Sequence, residues 1–398
     1  MPRFADLRKD GLGAAPPSIG QVAGGGAGAY PSLPNPWSAP VSDLDQPFVL
    51  RNGVPLRNRI ALAPLTNGQS DADGTLSAVE ARWLLRRATG GFGLVSTCAT
   101  FVSEEGKAWA GQLGIATEGQ GEAMRGLAAD LAAAGAVGVV QLHHGGAKAE
   151  LAPTRLSTVD AEGQRGATEA DIERVVADFV AAALRAQSAG FAGVEVHGAN
   201  GYLFTQFLAP LDNPRDDAFG GSLENRARFL RRTVQAVRAA VRADFAVGVR
   251  LSPVDLWDQR GLVLEDSLQV GRWLADDGID WLHLSLRDAG GPPPRQPDAP
   301  PVARAFRDVL PADLPLLVAG GIDARDKAER ARQAGVDVVV LGRAGIVQPD
   351  WPTASQAAGY APPSTPWSRE HLRSVDVGEA FLGYLRNFAG LVEGGAPP

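Results

Sequence analysis

Between Val194 and Phe229 the chain reads VEVHGANGYLFTQFLAPLDNPRDDAFGGSLENRARF. A short apolar run, VEV, ends directly in a polar cluster of His197, Asn200 and Tyr202. Two hydrogen-bond donors and a phenol at the end of a buried strand are costly in a core. They suit a site that grips a carbonyl oxygen and delivers a proton. Two donors converging on one oxygen stabilise an enolate-like transition state, as an oxyanion hole does. Tyr202, two residues beyond Asn200, is spaced to protonate the carbon beside that carbonyl. Each has an ordinary reading alone: His197 as a satisfied core histidine, Asn200-Gly201 as a turn. Together they read as one site.

Other chemistry-bearing residues stand at the ends of other apolar runs. Gln141 can both donate to and accept from the edge of a heterocycle, and Arg250 can stabilise an anion. A flavin requires both, because hydrogen bonds and charge at its pyrimidine edge tune it. An ion pair at a barrel mouth is the plainer reading of Arg250. Gly320-Gly321 and Gly342-Arg343 allow backbone N–H groups to approach a phosphate while Arg343 neutralises it. Glycines for tight strand-to-helix turns are the plainer reading there. His143, His144, His197 and His283 leave a metal-dependent hydrolase open, although the first strand, ALAPLT, offers no ligand. Cys98 could be a nucleophile, but its pattern fits a small buried residue better.

The elements that must position these residues follow from periodicity. Apolar runs predict strands at 59–65, 93–99, 137–143, 193–198, 246–252, 281–286, 315–321 and 336–342. Amphipathic patterns between them predict helices at 77–88, 119–134, 168–189, 222–241, 265–276, 301–309 and 324–334. In the third of these, Ile172, Val175, Val176, Phe179 and Val180 share a face, with Thr168 as cap and Asp171 in the first turn. Short apolar strands alternating with helices mean a parallel sheet covered on its outside. Eight such units fit a closed (β/α)8 TIM barrel, an α/β fold, with an open doubly wound sheet as the alternative. In a barrel the polar strand ends form one ring at the C-terminal face.

Residues 1–45 are rich in Gly, Ala, Pro and Ser and read as a flexible extension; 46–355 is the barrel; 356–398 is a link and a packing helix near 369–392. The run GGGAGA at 24–29 matches a loose dinucleotide fingerprint but follows no strand, so it reads as leader. The chain has 398 residues, 45% apolar and 21% charged, with net charge −7. That balance gives no reason to expect a nucleic-acid partner. The sequence has neither a membrane-length apolar run nor, in MPRFADLRKDG, a signal-peptide core, and the expectation is a cytoplasmic protein. One cysteine rules out an internal disulfide and any cysteine-built cluster.

Assembled in order, these landmarks resemble the old yellow enzyme family of FMN-dependent ene-reductases over roughly residues 46–352. They are NRIALAPLT, GLVSTCAT, VVQLHHGG, HGANGYL with QFLAPLDNPRDDAFGGSLENRARF, VGVRLSP, VAGGI and VVVLGRAGIVQPDWP. The long fourth segment is highly specific to that family. The resemblance implies a non-covalent FMN over the barrel mouth. Ala63, Pro64 and Thr66 would line it, Ala99 and Gln141 would meet its pyrimidine edge, and Arg250 its N1–O2 side. Gly320, Gly321, Gly342 and Arg343 would hold the phosphate. His197 and Asn200 would bind the substrate carbonyl, with Tyr202 as proton donor. The implied cycle is ping-pong: NADPH or NADH reduces the flavin and leaves, then a small enone-type alkene takes hydride at its β-carbon and a proton at its α-carbon. A desaturase or isomerase on the same barrel, or a non-catalytic flavin- or phosphate-binding barrel, are the competitors. Two departures fall near the substrate side: Ala147-Lys148 after QLHHGG, where many relatives carry arginine soon after the glycine, and Trp83-Leu84, where relatives often show paired tyrosines. The physiological substrate, the choice of nicotinamide and any homo-oligomer stay open.

Overall fold

A computed structural model describes residues 43–256 and 259–396. Eight parallel strands close into a barrel in chain order. They are β1 Ile60–Leu62, β2 Leu94–Phe101, β3 Val137–His143, β4 Gly193–Gly198, β5 Ala246–Leu251, β6 Trp281–Ser285, β7 Leu316–Ala319 and β8 Val338–Leu341. Closure is made by β8 on β1, where Val340 is opposite Ala61. The open-sheet alternative is thereby excluded.

Side-chain alternation along the strands explains where the site lies. Ala61, Leu94, Val139, Ala246, Trp281, Leu317 and Val338 form an apolar cluster inside the barrel. A ribbon of Phe48–Val49 and Pro55–Leu56 supports it through Leu50 and Leu56. Further along β3 and β6 the same face turns polar: Val139 is followed by Gln141 and His143, and Trp281 by His283 and Ser285. Gly248 makes this layer possible. A Cβ there would fall 1.9 Å from the indole of Trp281, its register partner, which lies over it to reach Glu195 of β4.

The outer faces pack on α1 Ala78–Thr89, α2 Arg125–Ala133, α3 Glu169–Ala189, α4 Leu223–Ala240, α5 Leu264–Asp276, α6 Val302–Val309 and α7 Arg325–Gln333. The expected cap of α3 is a complete capping box between Thr168 and Asp171. The helix expected at 119–134 is interrupted at Met124, which separates Glu118–Ala123 from α2.

The ends of the chain depart from the sequence reading. The expected leader lies largely outside the described residues, as does GGGAGA. Asp43–Asp45, at its border, form a 3-10 turn in which Leu44 is buried. Asp43 pairs with Arg332, and Asp45 with Arg325 at 2.7 Å. The single helix expected near 369–392 is instead two, Arg369–Ser374 and Glu379–Leu385. Asp376 between them has φ 62°, a left-handed conformation that ends the first helix and turns the chain. Phe388 is exposed past the second helix. The buried Arg87 fastens this tail to the barrel. It donates to Gly345, Ile346 and Val375 carbonyls at 3.0, 2.7 and 2.9 Å.

Candidate active site

The third and fourth strands place Gln141, His143, Glu195 and His197 on one inward face, and His197 is opposite Arg250 of β5. Glu195 is the hub of the lower layer. Its Oε1 accepts from Gln141 Nε2 at 2.8 Å; its Oε2 accepts from Trp281 Nε1 at 3.1 Å and lies 2.9 Å from His283 Nδ1. Burial pushes this carboxyl up, but His283, Arg250 and Trp281 outweigh it and hold it at about 2. The pair is therefore a carboxylate against a histidine that donates through Nδ1.

Ala99 reaches its place through a bulge in β2. Thr97 and Cys98 stand opposite the single residue Val140, after which Ala99 is the register partner of Gln141. Cys98 is buried, and burial, with Glu80 beside it, raises its thiol pKa well above the ordinary value. That removes it as a nucleophile. Among the four histidines, His283 faces Glu195, and His144 lies 3.5 Å from Glu105. Among the described residues no group of three or more His, Cys, Asp or Glu is arranged to hold a metal.

The end of β4 and the loop after it carry the clamp. Asn200 has φ 62°, and its N–H donates to Ser252 Oγ at 2.9 Å. Its Oδ1 accepts from Ser285 at 3.1 Å and from Ser252 at 3.4 Å, so the group left for a substrate oxygen is Nδ2. His197 is buried and kept neutral by that burial, with His143 and Arg250 adding to it; its Nδ1 has no partner. Tyr202 packs against both histidines, at ring centroid distances of 4.4 Å to His143 and 5.3 Å to His197. Burial raises its phenol to about 12, with Tyr384 adding to it. The phenol thus stays protonated and can serve as an acid rather than a base.

The remaining sequence-derived positions lie around the same mouth. Ala63 and Pro64 are buried at the end of β1, and the half-buried Thr66 lies near Tyr384 of the second tail helix. Gly320 follows β7, and Gly321 has φ 62°. Gly342 precedes the short helix Arg343–Val347; a Cβ there would meet only Leu65 Cδ2 at 3.8 Å, so the backbone is open to a ligand. Arg343 is exposed. Lys148 Nζ sits 5.3 Å from the Tyr202 ring and donates to Asn200 O at 3.2 Å. A cleft of about 220 Å³ opens beside it, bordered by Asn200, Ser252 and Leu262. Trp83, the other departure, is buried against Phe381 and Arg87 and serves the tail.

Several site residues escaped the sequence reading. Glu195 and Ser285 each lie two positions from a flagged histidine on the same strand face, a period-two signal that could have found them. Trp109, Gln112 and Tyr384 come from segments whose pattern gives no such clue.

A family model described as NADH:flavin oxidoreductase / NADH oxidase matches residues 43–358. The chain belongs to this family. Within it, the Bacillus subtilis protein named "Probable NADH-dependent flavin oxidoreductase YqiG" is 37% identical over 325 residues, covering 77% of this chain and 86% of that one. The NADH:acrylate oxidoreductase of Vibrio harveyi is 32% identical over 78% of this chain, which spans only 33% of that longer protein. The solved old yellow enzyme homologue from Zymomonas mobilis superposes with a TM-score of 0.71 at 27% identity, over 83% of this chain and 96% of that chain. The protein is an NAD(P)H-dependent flavin oxidoreductase whose cofactor is FMN. Unpartnered buried nitrogens, Arg250 Nε and His283 Nε2, together with the open backbone at Gly342, fit such a group. Among the described residues no helix is long and apolar enough to cross a membrane.

Proposed function

We propose that the protein reduces the C=C bond of α,β-unsaturated carbonyl compounds. The observation that carries this reading is the joint presentation of His197, Asn200 and a protonated Tyr202 from the end of β4 and the loop after it, beside Arg250 on the neighbouring β5. Ala63, Pro64, Thr66, Ala99, Gln141 and Arg250 would hold the flavin ring, and Gly320, Gly321, Gly342 and Arg343 its phosphate. Bound there and reduced by NADPH or NADH, FMN would supply the hydride for the alkene β-carbon.

The chain's own residues supply the rest. A neutral His197 and the Nδ2 group of Asn200 donate to the substrate carbonyl, and strengthen as negative charge gathers on that oxygen. Ser285 and Ser252 keep the Asn200 amide in the donating orientation. Tyr202 then delivers its proton to the α-carbon. A desaturase or isomerase could use the same clamp, but a phenol held at about 12 suits delivery of a proton better than its removal.

The test is anaerobic. FMN-loaded protein is reduced with NADPH or NADH, and reoxidation by cyclohexenone is followed. Failure of any enone to reoxidise the flavin overturns the reading. Tyr202→Phe should slow alkene reduction while leaving flavin reduction by the nicotinamide nearly intact; equal loss in both half-reactions removes its role as proton donor.

A further inference from the structure

Trp109 and Gln112 come from the loop after β2 and reach the site from its far side. Gln112 Oε1 accepts from Ala108 N at 2.7 Å, while its Nε2 donates to Ala99 O at 2.9 Å and lies 3.0 Å from His143 Nδ1. Reversing this amide would set two donors against each other at Ala108 and two acceptors at Ala99. The nitrogen is therefore the atom that faces His143, and His143 Nδ1 must accept. A neutral histidine that accepts at Nδ1 carries its proton on Nε2. Burial, with His144 nearby, lowers the pKa of this ring to about 3, so it stays neutral.

That Nε2–H is buried and has no partner, and neither does Trp109 Nε1–H. Both rings pack on Tyr202, His143 at 4.4 Å and 78° between planes, Trp109 at 6.2 Å. A phenol that surrenders a proton inside a protein leaves a buried phenolate, which needs donors.

We propose that His143 is a positioning residue for the proton donor: Gln112 locks it as the Nε2–H tautomer, and that N–H steadies Tyr202 and stabilises its oxygen as the proton departs. This rests on the reading of Tyr202 as proton donor. In the step, the phenol O–H bond breaks and its electron pair stays on oxygen. The proton joins the electron pair on the substrate α-carbon to form the new C–H bond, and the phenolate recovers a proton from water. The other titratable or charged groups facing Tyr202 are Arg250 of β5, Lys148 and Glu150 after β3, His197 of β4 and Tyr384 of the tail.

The experiment uses the FMN-loaded full chain and the oxidative half-reaction with cyclohexenone. His143→Phe keeps a ring and removes the donor, and should slow that half-reaction roughly tenfold. His143→Gln, whose amide nitrogen can stand where Nε2 stood, should recover most of the loss. In the Tyr202→Phe background, His143→Phe should add nothing further, because it acts only through the phenol. Nitrogen-15 NMR of the histidines should show the His143 signal with Nδ1 bare and Nε2 protonated, and Gln112→Leu should release that preference. A protonated Nδ1, or an additive loss in the double variant, overturns the proposal while leaving the ene-reductase reading intact. If Tyr202→Phe itself does not slow the half-reaction, the reading of Tyr202 as proton donor and this proposal fall together.

Discussion

Ser285 Oγ donates to Asn200 Oδ1 at 3.1 Å and accepts from Arg250 Nη2 at the same distance. One hydroxyl of β6 therefore joins the arginine proposed for the flavin to the asparagine proposed for the substrate. Ser285→Ala leaves Asn200 with Ser252 alone and frees its amide to turn. Losing one net hydrogen bond of about 1 kcal/mol should lower kcat/KM for an enone roughly fivefold, mainly through KM. Steady-state kinetics with cyclohexenone checks this; an unchanged KM would mean that Ser252 alone orients the clamp.

The two glycines proposed for the phosphate differ in what surrounds them. A Cβ on Gly320 would fall 2.8 Å from Ala289 N and 2.9 Å from Leu286 O, both backbone atoms. Gly320→Ala should cost about 1–3 kcal/mol of fold stability through overpacking, and weaken FMN binding with it. At Gly342 the space is open, so Gly342→Ala should leave the apoprotein's melting temperature near wild type. Its FMN should nevertheless bind roughly tenfold more weakly, about 1.4 kcal/mol, because the methyl occupies the ligand's approach. Apoprotein melting and FMN titration together separate the cases. Wild-type FMN affinity in Gly342→Ala would remove the end of β8 from the phosphate site.

The barrel was legible because its strands and helices each obey a local period. The run VGVVQLH and the helix at 168–189 carry their pattern within a few residues, and the structure places them at 137–143 and 169–189. The clamp was legible for a related reason: His197, Asn200 and Tyr202 stand close together in sequence, at the end of β4 and just after it. Glu195 was hidden because a single carboxylate inside VEV looks like strand chemistry until Trp281 and His283, far along the chain, close on it. Gln112 and Tyr384 act entirely through tertiary contact, and nothing in their neighbours announces it. The tail helix broke at Asp376 because a backbone reversal overrode a continuous amphipathic pattern.

Glu195→Gln tests the lower layer. The carboxylate accepts from Gln141, Trp281 and His283 at once, and an amide presents an N–H to at least one of these donors. Breaking a buried charged network by changing one member costs about 3–5 kcal/mol. The variant should melt correspondingly lower and lose FMN more readily, since Gln141 would no longer be held by its amino group. Thermal unfolding and the rate of flavin release measure the two effects. Normal FMN retention in a destabilised variant would confine Glu195 to holding the barrel together.

Acid should destabilise the protein through its buried histidines. His143 has an ordinary value of 6.5 and is lowered to about 3 in the fold by burial, with His144 adding to it. Between those values the unfolded chain binds a proton that folded His143 refuses, so stability is complete above pH 6.5 and declines as the pH falls. At pH 5 the loss from His143 alone is about 2 kcal/mol, being about 1.5 pH units at 1.36 kcal/mol each. His197 and His283 are lowered in the same direction by burial, and Glu195, held at about 2, adds a further loss below 4.5. The melting temperature should therefore drop from pH 7 to pH 5, and His143→Phe should drop less over the same range. If the two proteins show the same pH slope, folded His143 takes up its proton like an exposed histidine, which a ring accepting from Gln112 at Nδ1 inside the barrel could not do.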